Sequence, residues 1–114
     1  MKATLTQIEL KTPFHFFKLS MYALNILNQL KKTDYVDFKK TGIWTNHYTM
    51  TLWKNEEDLQ QFYKNGAHLE AMKESKKVAR RIKTITIDAD ELPDWKKAKE
   101  ILSSVNGLTF QSET

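Results

Sequence analysis

Three histidines, His15, His47 and His68, are the side chains that change charge near neutral pH without any perturbation. His68 is the foremost candidate for chemistry. An imidazole on a pocket wall shuttles a proton or ligates a haem iron; the structural alternative is a ring held by a backbone carbonyl at the Asn65-Gly66 helix break. His47 stands six positions before Trp53 on one strand, and the two-residue period puts both on the same face. His15 precedes a helix and reads as capping or exposed. The three are scattered, no H-x-x-x-H is present, and no metal site is expected. The chain has no cysteine, which excludes a disulfide framework, a thiolate metal site and a cysteine nucleophile. Three glycines form no phosphate-binding loop, and no G-x-S-x-G elbow occurs.

The elements that must position these residues follow from periodicity. Ala3 to Leu10 alternates as a strand. Thr12-Pro13 opens a helix whose apolar face is Phe16, Leu19, Ala23, Ile26, Leu27 and Leu30, widened by Phe17, Met21 and Leu24 as for a helix lying on a sheet. Tyr35 to Lys40 is a short second strand, Thr41-Gly42 a turn, and Ile43 to Trp53 the strongest strand of the chain. Asn55 caps a second helix with Glu56, Glu57 and Asp58 in its first turn. That helix breaks at Asn65-Gly66 and resumes through Ala71, Ser75 and Ala79. Arg81 to Asp88 is a fourth strand, and Pro93 opens a last helix carrying Trp95, Ala98, Ile101, Leu102 and Val105.

This order is the ferredoxin-like β-α-β-β-α-β arrangement: an α+β fold with a four-stranded antiparallel sheet, helices on one face, and an extra C-terminal helix. Residues 1–107 form one domain and 108–114 a C-terminal tail. The strand Ile43 to Trp53 is apolar on both faces although helices are expected on only one. An uncovered apolar sheet face marks an interface, so a homodimer through that face is expected.

The 114-residue chain carries a formal charge of +4. Its lysines fall between helical core positions, the pattern of a solvated face rather than a nucleic-acid patch. The RNA-recognition fold shares this element order, but Thr45 to Trp53 has neither its glycine nor a basic residue apart from His47. No run approaches the length of a membrane span. The expectations are no nucleic-acid partner, no membrane partner and a cytoplasmic location.

The segment Thr49-Met50-Thr51-Leu52-Trp53, followed by Asn55 to Leu59, Phe62 and Gly66-Ala67-His68, resembles the dimeric α+β barrel superfamily. Within it the chain is most similar to the antibiotic-biosynthesis monooxygenase-like proteins. The likeness at residue level runs from Thr49 to about Ala79. It implies a dimeric α+β barrel with a pocket between sheet and helices in each subunit. Members include cofactor-free oxygenases of phenolic polyketides, haem-degrading enzymes and proteins of no known activity. On this resemblance His68 and Trp53 are the catalytic candidates; Phe62 and Met72 are expected to line the substrate pocket, and His47, on the strand face of Trp53, either joins them or faces the partner sheet. His68 would move a proton, and Trp53 would pack the substrate or take part in electron transfer. Haem-degrading members use an Asn, a Trp and a His, and Gln7 stands on the first strand where that Asn belongs. The expected function is a monooxygenase-like protein acting on a small hydrophobic or aromatic ligand without a cofactor. The alternatives are a non-catalytic dimeric ligand-binding protein and a haem-binding or haem-degrading one.

Overall fold

A computed structural model describes residues 1–64, 77–105 and 108–109. Strand β1 (Lys2–Leu10) leads through a 3-10 turn (Pro13–His15) into helix α1 (Phe16–Leu30). Strands β2 (Asp37–Ile43) and β3 (Asn46–Trp53) form a hairpin, followed by α2 (Glu56–Tyr63), β4 (Ala79–Asp88), α3 (Trp95–Ser103) and the two-residue β5 (Leu108–Thr109). The sheet runs β2-β3-β1-β4-β5 with antiparallel pairing throughout. Its four long strands are in the ferredoxin-like order. β5 takes two residues of the segment expected as a tail and pairs them with Arg81 and Ile82.

Local chemistry explains the helix starts. The Asn55 side chain accepts the Asp58 amide at 2.9 Å, and Asp94 accepts the Lys97 amide at 2.8 Å. Each satisfies a donor that the first helical turn leaves free. Pro93 therefore precedes the cap of α3 and does not open the helix itself. The expected break at Asn65-Gly66 and the stripe through Ala71 and Ser75 lie outside the described residues, while Ala79, expected at the end of that helix, is the first residue of β4 and pairs with Leu10.

The sheet has two different faces. On the first, Trp53 packs with Leu30 of α1 and with Leu59 and Phe62 of α2, joined by Ile26, Leu27, Phe38 and Tyr63. On the second, Ala3, Leu5, Met50 and Leu52 pack against Leu92 and against Ala98 and Leu102 of α3. The helices thus lie on both faces. The apolar half of the second face, expected to seat another copy, is covered by the chain's own C-terminal helix.

Two further expectations are corrected. The hairpin turns at Trp44-Thr45, not Thr41-Gly42, since Ile43 pairs with Asn46 and Gly42 with His47 inside the ladder. Gly42 is there for closeness: a Cβ on it would lie 2.2 Å from Nδ1 of His47. On α1, Phe17, Met21 and Leu24 do not widen the buried face; all three are exposed.

Candidate functional site

The three central strands each carry a Thr-x-Thr step: Thr4-Leu5-Thr6, Thr49-Met50-Thr51 and Thr84-Ile85-Thr86. Alternation sends the middle residue to the second face and both threonines to the first. Register then aligns them, with Thr4 between Thr51 and Thr86 and Thr6 between Thr49 and Thr84. The result is a floor of six hydroxyls in two rows across three strands. The Thr4 and Thr86 hydroxyls lie 3.3 Å apart, and those of Thr6 and Thr84 3.2 Å. Thr4 is buried, its β3 neighbours are half-buried, and Thr84 and Thr86 are exposed, so the floor opens toward β4.

Aromatic groups bound this floor. At one end the Trp53 ring lies 5.2 Å from that of Phe62, which is 6.3 Å from Tyr63. Burial raises the pKa of the Tyr63 phenol, and the nearby Thr4 and Thr84 hydroxyls oppose the rise, which places the phenol beside the floor. At the other end the ring of Phe16 stacks on His47 with centroids 5.3 Å apart. Helix α1 spans the interval. Its 15 residues extend about 22 Å, close to the roughly 20 Å of strand from His47 to Trp53.

The expected site residues are distributed as follows. Trp53 is 1 % exposed, a core side chain at the head of the floor. Phe62 packs beside it. His47 shares their face but stands at the far end, between Gly42 and Phe16. Its pKa is lowered from 6.5 by burial, against a weaker opposing effect of the Trp44 backbone. Among the described residues its Nε2 is buried without a hydrogen-bond partner. His68 and Met72 lie outside the described residues.

Tyr63 was expected only as a side chain filling the pocket of a non-catalytic protein, and the threonine floor was not expected as a site. The signal for them was the Thr-x-Thr step repeated in three strands, which reads as ordinary β-propensity until register brings the copies together.

The second face carries an open cleft of about 260 Å³ lined by Thr41, Gly42, Trp44, Asn46, Tyr48 and Lys99. Gln7 Nε2 donates to Asn46 Oδ1 at its edge, over 3.2 Å. Gln7 therefore points away from Trp53, through the sheet. A residue at that position and Trp53 cannot meet in one pocket, so the Asn-Trp-His set of the haem-degrading members does not fit this chain. Among the described residues no group of His, Asp and Glu gathers to hold a metal ion.

No family model matches the sequence, and no curated protein does. Solved structures match in shape. An antibiotic biosynthesis monooxygenase superposes with a TM-score of 0.69 at 10% identity, covering 82% of this chain and all of the other. A conserved protein of Methanosarcina mazei Go1 gives 0.71 at 11% identity, with 78% and 92% covered. SnoaB of Streptomyces nogalater, described as a cofactor-independent oxygenase, gives 0.61 at 10% identity, with 82% and 97% covered. The chain therefore has the ferredoxin-like fold of the antibiotic biosynthesis monooxygenase proteins.

Proposed function

We propose that the chain is a monooxygenase-like protein that binds a small phenolic substrate on the threonine floor and oxygenates it without a cofactor. The observation that carries this reading is the register-aligned hydroxyl floor, with Tyr63 above it and the Trp53–Phe62 pair at its head. Hydroxyl donors in a partly desolvated site stabilise a developing phenolate or enolate oxygen far better than water does. The Tyr63 phenol is protonated at neutral pH and able to donate, and burial moves its pKa further from that range. A base removes a proton from the substrate carbon, and His68 is proposed for that role. The resulting carbanion reduces dioxygen and forms a C–O bond with it. The hydroperoxide then loses water to leave a ketone, one oxygen atom entering the product and the other leaving as water. The likeness to a cofactor-independent oxygenase supports the same chemistry.

Oxygen uptake with dithranol, a phenol bearing an acidic CH2, tests the proposal in buffer treated to remove metals. Uptake above the uncatalysed rate is expected, falling roughly 100-fold in kcat/KM for Tyr63→Phe, as for loss of one oxyanion donor. His68→Ala is expected to abolish it. No uptake by the wild type would leave a binding protein. The reading includes a homodimer. Since α3 occupies the apolar half of the second face, the partner would seat on the other half, around Trp44, Asn46 and Tyr48. Light scattering at twice 13.4 kDa supports the pair, and a mass of 13.4 kDa removes it.

A further inference from the structure

Helix α1 and the turn before it are apolar on the side facing away from the sheet. Phe14, Phe17, Met21 and Leu24 are 84%, 75%, 66% and 60% exposed. Their spacing of three, four and three residues sets them in one stripe along the helix. Lys18 is exposed on the same side, and Lys31 and Lys32 follow the last turn, also exposed. From Lys11 to Thr33 the chain has lysines at 11, 18, 31 and 32 and no Asp or Glu. Asp34 and Asp37 follow the lysine pair at the Leu30 end, and Glu56 to Asp58 start α2, which packs by Leu59 beside Leu30, so these acids stand away from the Phe14 end.

We propose that this stripe docks the protein on an anionic lipid surface, with α1 lying in the plane of the headgroups. Aromatic and aliphatic side chains on a helix flanked by lysines are the composition of an interfacial helix. The lysine stems let the ammonium groups reach lipid phosphates while the rings enter the acyl boundary. Charge argues for lipid over a second copy. Another chain would bring the same stripe and the same lysines, with no carboxylate on the segment to pair with them. A bilayer containing phosphatidylglycerol supplies both the hydrocarbon and the negative charge. No spanning segment is required, and among the described residues no helix is long and apolar enough to be one.

Co-sedimentation of the full chain with vesicles decides the matter. Wild type is expected to pellet with phosphatidylcholine–phosphatidylglycerol (3:1) vesicles and to bind at least tenfold more weakly to phosphatidylcholine alone, since the lysines then lose their attraction to an anionic surface. Raising the salt to about 0.5 M should weaken binding similarly. The double variant Phe17→Ser/Met21→Ser removes only exposed groups, so its Tm should stay that of the wild type while its binding falls at least tenfold. The proposal is overturned by equal binding to both vesicles, by absence of pelleting, or by full binding of the double variant. It is also overturned if the wild type self-associates through the stripe, shown by a mass that falls in the double variant without any vesicle binding.

Discussion

The imidazole of His47 fills a slot with Gly42 beneath it and Phe16 above, and its Nε2 has no hydrogen-bond partner among the described residues. Burial of this kind disfavours the charged ring, so the folded chain holds a proton there less tightly than the unfolded chain does. The unfolded state then binds more protons just below pH 6.5, and stability rises with pH through that window. Stability contributed by neutral His47 should be complete above pH 6.5, fall as the pH drops below it, and level off once the folded pKa is passed. Urea midpoints between pH 7.5 and 5 would show this, and His47→Gln should flatten the slope. An unchanged slope in the variant would mean that other groups carry it. Period two correctly put His47 and Trp53 on one face. It could not reveal that the same face also gathers six threonines, because the partners of Thr4 and Thr6 lie on strands more than forty residues away in the chain.

The β2–β3 hairpin shows where residue types mislead about an element. Thr41-Gly42 has the composition of a turn, yet Gly42 serves the ladder by admitting the His47 ring. The true connection holds Trp44 at φ 58°, a left-handed conformation that two-residue hairpins ordinarily fill with Gly, Asn or Asp. An L-residue there costs about 1–2 kcal/mol. Because the indole is 75% exposed, little packing offsets that cost. Trp44→Gly is therefore expected to raise the urea midpoint by the equivalent of about 1 kcal/mol, with an unchanged m-value. A loss of stability would instead show that the indole is packed in solution, in the second-face cleft or against the partner of the proposed homodimer. The caps were easier to read: Asn55 followed by three acids is a local signal, and the structure uses it. Helix α1 was legible as a helix but not in its orientation. Apolar residues surround it, and periodicity alone gives no reason to bury Leu30 and expose Phe17.

At the scale of the whole molecule, one sheet serves two cores. The first joins α1 and α2 to Trp53; the second joins α3 to Leu5, Met50 and Leu52. Strand alternation showed that both faces of β3 had to be covered. The identity of the cover is a long-range matter, settled by where the chain from Leu92 to Leu102 returns. Leu102 is 1% exposed and central to that return. Leu102→Ala should cost about 2–5 kcal/mol by lost transfer energy and a residual cavity, a large share of the roughly 5–15 kcal/mol typical of a whole domain. Leu102→Asp goes further, because an unpaired carboxylate cannot stay at that site and α3 must lift away. The face then bares Ala3, Leu5, Met50, Leu52, Ile85 and Ile87 together, a contiguous apolar patch of the kind that drives association. Sedimentation velocity at two protein concentrations should find species larger than those of the wild type. If the mass is unchanged while Leu102→Ala is destabilised as expected, α3 contributes stability without shielding the face from further association.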